Sequence, residues 1–158
     1  MGSNGLQLPC YNLEKLSFSR LNLSGSNFAG SNLTRSNFVR TSLAKANFLD
    51  SNLQYTDFSF ANLQYANLIN ANLQGANFTS TCLDFASLRN ADIRNANLSN
   101  ATLASASISG AMLTGANITD LNINSLYCTC CHKKVQPSKR VECENCKDQK
   151  YEVVAYNL

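Results

Sequence analysis

Apolar residues recur along this chain with a period of five. Every fifth position from Leu13 to Ile123 is Leu, Ile or Phe, without exception over twenty-three consecutive positions. The residue two before each centre is small (Ser26, Ser31, Ser36, Thr41, Ala46, onward to Ala116), and the residue just before it is usually Asn. Neither standard element suits this period: on a helix it walks the apolar residue around the axis, and on a strand it flips it to the opposite face at each step. Constant burial therefore requires the backbone itself to turn by a quarter after every five residues. Four turns close a square coil of twenty residues, and the next coil stacks on it at about 4.8 Å. Twenty-three units make just under six coils, a rod about 28 Å long.

Wrapping the sequence at twenty residues sorts it into columns. One inner column reads Phe18, Phe38, Phe58, Phe78, Leu98, Ile118, and the column two faces away reads Phe28, Phe48, Leu68, Leu88, Ile108. Both predict ring stacks along the axis in the N-terminal coils. The small residues two before each centre also point inward, where adjacent walls converge. Bulky residues occupy that position only at the ends (Tyr11, Leu16, Leu21; Leu121, Leu126), where they are expected to cover the open mouths of the rod. Asn bonds its own backbone and tolerates turns, so the Asn series from Asn22 to Asn77 reads as corner support rather than as a ligand surface.

Units such as Ala61-Asn62-Leu63-Gln64-Tyr65, Ala71-Asn72-Leu73-Gln74-Gly75 and Ala116-Asn117-Ile118-Thr119-Asp120 resemble the A-[ND]-[LF]-x-x unit of the pentapeptide-repeat family. The resemblance implies an all-β fold, a right-handed quadrilateral β-helix, serving as a scaffold or binding surface rather than as an enzyme. Its best-known members resemble duplex DNA and shield type II topoisomerases from quinolones. Fold alone does not transfer that role.

The period ends near residue 126. The boundaries expected are a lead-in over 1–10, the β-helix over 11–126 and a separate tail over 127–158. The tail carries two C-x-x-C pairs, Cys128/Cys131 and Cys143/Cys146. Four thiolates on two tight knuckles suit the tetrahedral shell of Zn²⁺, and a short segment with almost no apolar core needs such a staple to fold. The tail resembles a zinc ribbon, although the interval between the pairs is short and His132 and Lys147 stand where Gly usually follows each knuckle. Cys130 and His132 leave the ligand set open. A disulfide pair, iron in place of zinc, and covalent haem at Cys128-x-x-Cys131-His132 are the competing readings. Cys10 and Cys82 stand apart, Cys82 at an Asn position. Seven cysteines with an odd remainder fit a reducing compartment, hence a cytoplasmic location.

Charge and candidate chemistry narrow the function. The net charge is +3, with Lys15, Arg20, Arg35, Arg40 and Lys45 at one outward repeat position. A phosphate-mimicking track needs dense negative potential, which argues against topoisomerase protection. Nucleic-acid binding through these coils and the basic tail is the alternative function, although the charges are spread over three corners. The single His lies in the cysteine cluster, and the outward carboxylates (Glu14, Asp50, Asp84, Asp120) are dispersed, so no catalytic constellation and no small-molecule substrate emerge. No apolar run spans a membrane, no signal segment opens the chain, and Leu6 spoils the myristoylation pattern. The remaining expectation is an interaction scaffold with a protein partner or self-association. Wrapping places Tyr65 and Phe85 one above the other on one corner and Leu49 and Ile69 on the adjoining wall, with Tyr55 and Phe60 continuing an aromatic band. Leu49, Tyr65, Ile69 and Phe85 are the candidate partner-binding face.

Overall fold

A computed structural model describes residues 5–121 in full, and beyond them the backbone of three short strands. From Gln7↔Asn27 to Asn97↔Asn117, parallel bridges join residues twenty apart, all at the position just before the centre. The coil thus contains twenty residues in four five-residue walls. At the N-terminal end, Leu8 and Cys10 donate to the carbonyls of Asn27 and Ala29 of the next coil, both at 2.8 Å.

Each wall ends in a four-residue turn closed by the amide two before the next centre, as in Ser36 N–H to Leu33 O at 3.0 Å. The third residue of the turn lies in the left-handed region at all twenty-three fifth positions from Cys10 to Asp120, eighteen of them not glycine. That conformation costs an L-residue about 1–2 kcal/mol. It persists because the bonds to the coils above and below fix the corner from both sides.

The core is a single apolar column bounded by four walls. Phe28, Phe38, Phe48, Phe58 and Phe78 are fully buried. Phe18, Phe38, Phe58 and Phe78 stack with centroids 4.8, 5.2 and 5.2 Å apart, and Phe28 stacks on Phe48 at 5.1 Å. Rings of the two columns meet edge-on at 5.9–6.0 Å, so stacking and T-shaped contacts interlock across the axis. Inward hydroxyls are satisfied: Thr41, Thr56 and Thr81 donate to the carbonyls of Phe18, Leu33 and Phe58 at 2.7–2.9 Å. No buried side-chain polar atom among the described residues lacks a partner.

Asn supports the corners as its turn chemistry dictates. Asn27, Asn47 and Asn67 accept the amides of Ala29, Leu49 and Ile69 at 3.1–3.2 Å. They also form a ladder, Asn67 to Asn47 to Asn27, at 3.0 and 3.1 Å.

Tyr11, Leu16 and Leu21 shield Leu13, Phe18 and Leu23, but remain 46–55% exposed themselves. In the first coil no described residue lies in front of them, so a bulky side chain at this position cannot be enclosed. Leu121 does pack, partly buried, on the core. Farther on, β1 (Leu126–Cys128), β2 (Lys134–Val135) and β3 (Val153–Ala155) form an antiparallel sheet in the order β2-β1-β3.

Candidate interaction surface

The corner position determines what the rod presents outward. Because its backbone is left-handed, its side chain projects from the edge where two walls meet, and successive coils align such side chains in ladders. Tyr55, Phe60, Tyr65 and Phe85 occupy these corners with φ of 57–61° and exposures of 49–59%. Bulky residues are uncommon at positive φ.

Tyr65 and Phe85 stack as wrapping anticipated, centroids 4.9 Å apart and planes within 7°. Leu49 and Ile69 lie in successive coils on the adjoining wall, half-buried, with Asp50 N–H donating to Ile69 O at 3.1 Å. Beside Phe85, Asp84 accepts the Ala104 amide at 2.9 Å. The Thr102 hydroxyl above all, helped by this amide and the Cys82 thiol, holds its carboxyl below the ordinary range against the opposing effect of burial.

The other two aromatics have partners that wrapping also encodes but inspection by type missed. The Arg35 guanidinium lies 5.8 Å from the Tyr55 ring centroid and that of Arg40 5.1 Å from Phe60, each one coil earlier on the same corner. A signal was available: both pairs are twenty residues apart.

Candidate chemistry is sparse. Among the described residues no three His, Cys, Asp or Glu side chains gather where they could hold a metal. Cys10 is exposed and Cys82 partly so, both as free thiols. Asp92 accepts Arg94 through two nitrogens at 2.9 and 2.6 Å and Gln74 at 2.5 Å. Burial works to raise its pKa, but these bonds outweigh it and hold the carboxyl below the ordinary range. Of the proposed zinc ligands, Cys128 ends β1, and its side chain, together with Cys131, Cys143 and Cys146, lies outside the described residues. No helix of the described residues is long and apolar enough to cross a membrane.

Comparisons with known proteins agree with the coil. The crystal structure of a pentapeptide repeat protein, Rfr23, from the cyanobacterium Cyanothece 51142 is 26% identical, with a TM-score of 0.66 over 66% of this chain and 85% of that one. A pentapeptide repeat protein from the Arabidopsis thaliana thylakoid lumen is 28% identical, with a TM-score of 0.50 over 72% of this chain and 68% of that one. HetL of Nostoc, a pentapeptide repeat protein involved in heterocyst differentiation regulation, is 26% identical, with a TM-score of 0.43 over 75% and 62% of the two chains. Among curated proteins none matches in sequence. The family model for a pentapeptide repeat region matches residues 9–78, and that for eight pentapeptide repeats matches residues 81–120. With its five-residue walls, corner turns and ringed core, this chain belongs to the pentapeptide-repeat family.

Proposed function

We propose that the chain is a non-enzymatic protein-interaction scaffold whose contact face is formed by Leu49, Tyr65, Ile69 and Phe85. The observation that carries this reading is the exposed Tyr65–Phe85 stack, two rings in face-to-face contact that are still 53% and 49% accessible. Aromatic residues with one covered and one open face suit the centre of an interface. Covering a further ~100 Å² on each ring contributes about 2–3 kcal/mol per residue at ~25 cal/mol/Å². In the same reading, Cys128, Cys131, Cys143 and Cys146 bind a structural Zn²⁺ that staples the C-terminal segment, in a reducing, cytoplasmic setting. Zinc suits a four-thiolate donor set at knuckle spacing.

The test is the double variant Tyr65→Ser/Phe85→Ser. Ser fits both positions, because Ser105 occupies the same corner column with a left-handed φ of 56°. A pull-down from native extract, and light scattering for self-association, should show the interaction weakened at least a hundredfold with the fold intact by circular dichroism. Unchanged binding in the folded double variant would refute this face.

A further inference from the structure

Of the five basic residues of the N-terminal coils, all but Lys45, which shares the corner column of Tyr65 and Phe85, fall on two neighbouring corners. Lys15, Arg35 and Tyr55 form one corner ladder, and Arg20, Arg40 and Phe60 form the next. These two corners border the same wall, whose layers 16–20, 36–40 and 56–60 are registered by the bridges Ser17↔Asn37 and Asn37↔Asp57. The result is a strip with matching rails, each reading cation, cation, aromatic. Between the rails, the side chains on either side of each centre are short: Ser17, Ser19, Asn37, Val39, Asp57 and Ser59.

Two features make this strip more than a solvated surface. Each middle cation is set against the aromatic of its own rail, at 5.8 Å for Arg35–Tyr55 and 5.1 Å for Arg40–Phe60, which restrains side chains that otherwise lose much freedom on binding. The strip's own acids are also occupied. Glu14 pairs with Lys15 at 3.0 Å, and Asp57 accepts the Ser59 amide at 2.9 Å and the Asn77 amide group at 3.1 Å. Among the described residues, Arg20, Arg35 and Arg40 thus remain as the cations not paired to a strip carboxylate, beside two exposed rings.

We propose that this wall binds single-stranded nucleic acid. Phosphates would engage Arg20, Arg35 and Arg40, and unstacked bases would lie against Tyr55 and Phe60, the combination of cationic track and aromatic platform that such ligands require. An acidic peptide would use the cations but leave the rings without a planar partner. This wall is separate from the Tyr65–Phe85 face.

The test uses the full chain and a fluorescently labelled fifteen-residue oligothymidylate, read by anisotropy across a salt series. Three phosphate contacts on a single strand predict a log–log salt slope of about −2. Arg35→Gln/Arg40→Gln should weaken binding about tenfold and flatten the slope. Tyr55→Leu/Phe60→Leu should weaken it about fivefold with the slope retained. Arg89→Gln, outside the strip, and Tyr65→Ser/Phe85→Ser should bind as the parent does, so failure of the scaffold reading and failure of this one are separable. Absence of binding at low salt, an equal loss in Arg89→Gln, or displacement by polyglutamate as effective as by unlabelled oligothymidylate would each overturn the proposal. If a double variant is unfolded by circular dichroism, the single change Arg40→Glu replaces it, with the same loss expected.

Discussion

Phe58→Ala is the sharpest probe of how the rod is held together. Phe58 is completely buried and touches three rings: Phe38 and Phe78 stacked at 5.2 Å on either side, and Phe48 edge-on at 5.9 Å. Truncation removes the transfer free energy of the ring and leaves a cavity between coils, together about 3–5 kcal/mol. The lost ring contacts, about 0.5–1.5 kcal/mol each, form part of that figure and push it toward its upper end. The neighbouring walls cannot collapse into the space, because their spacing is fixed by interchain-like ladders such as Phe58 N–H to Asn77 O at 2.8 Å and Phe38 N–H to Asp57 O at 2.7 Å. Phe58→Leu should cost far less, on the order of 1 kcal/mol, since the same column continues as Leu98 and Ile118 with both residues buried. The outward control is Thr34→Ala, which loses only a part-buried bond from the Thr34 hydroxyl to Asn32 Oδ1 at 2.7 Å and should cost less than about 1 kcal/mol. Urea unfolding followed by circular dichroism would rank the three variants. Equal midpoints for Phe58→Ala and Thr34→Ala would refute the inward and outward assignments on which the packing argument rests.

Two other outcomes follow from local chemistry. Asp92 has its pKa held below the ordinary value of 3.8, so its contribution to stability is present above that value and is lost as pH falls through the lower folded-state pKa; Asp92→Asn should remove this part of the acid dependence in melts recorded from pH 5 downward. An identical acid limb in the variant would assign the effect elsewhere. For the zinc reading, elemental analysis of purified protein should give about one equivalent per chain, Cys143→Ser should lose it, and chelation should leave the signal of the coils unchanged, because their core contains none of the proposed ligands.

The sequence by itself determined the coil. A five-residue apolar period has one way to remain buried, and each five-residue unit repeats the same instruction, so wall length, inward and outward positions and the Phe columns were all legible from residue type and position. The Tyr65–Phe85 stack was legible for the same reason, as a separation of twenty residues in a twenty-residue coil. What the tertiary structure decided lies where residue identity leaves freedom. The left-handed corner tolerates Arg, Tyr and Phe only because coils above and below pin it, a constraint that no single unit carries. Whether Tyr11, Leu16 and Leu21 are covered depends on what stands in front of the first coil, and their hydrophobicity cannot say. The pairing of Arg35 with Tyr55 and Arg40 with Phe60 depends on where long, flexible side chains settle between neighbouring coils. Repetition encodes the backbone many times over, whereas each surface contact is encoded once and is fixed only when the coils are stacked.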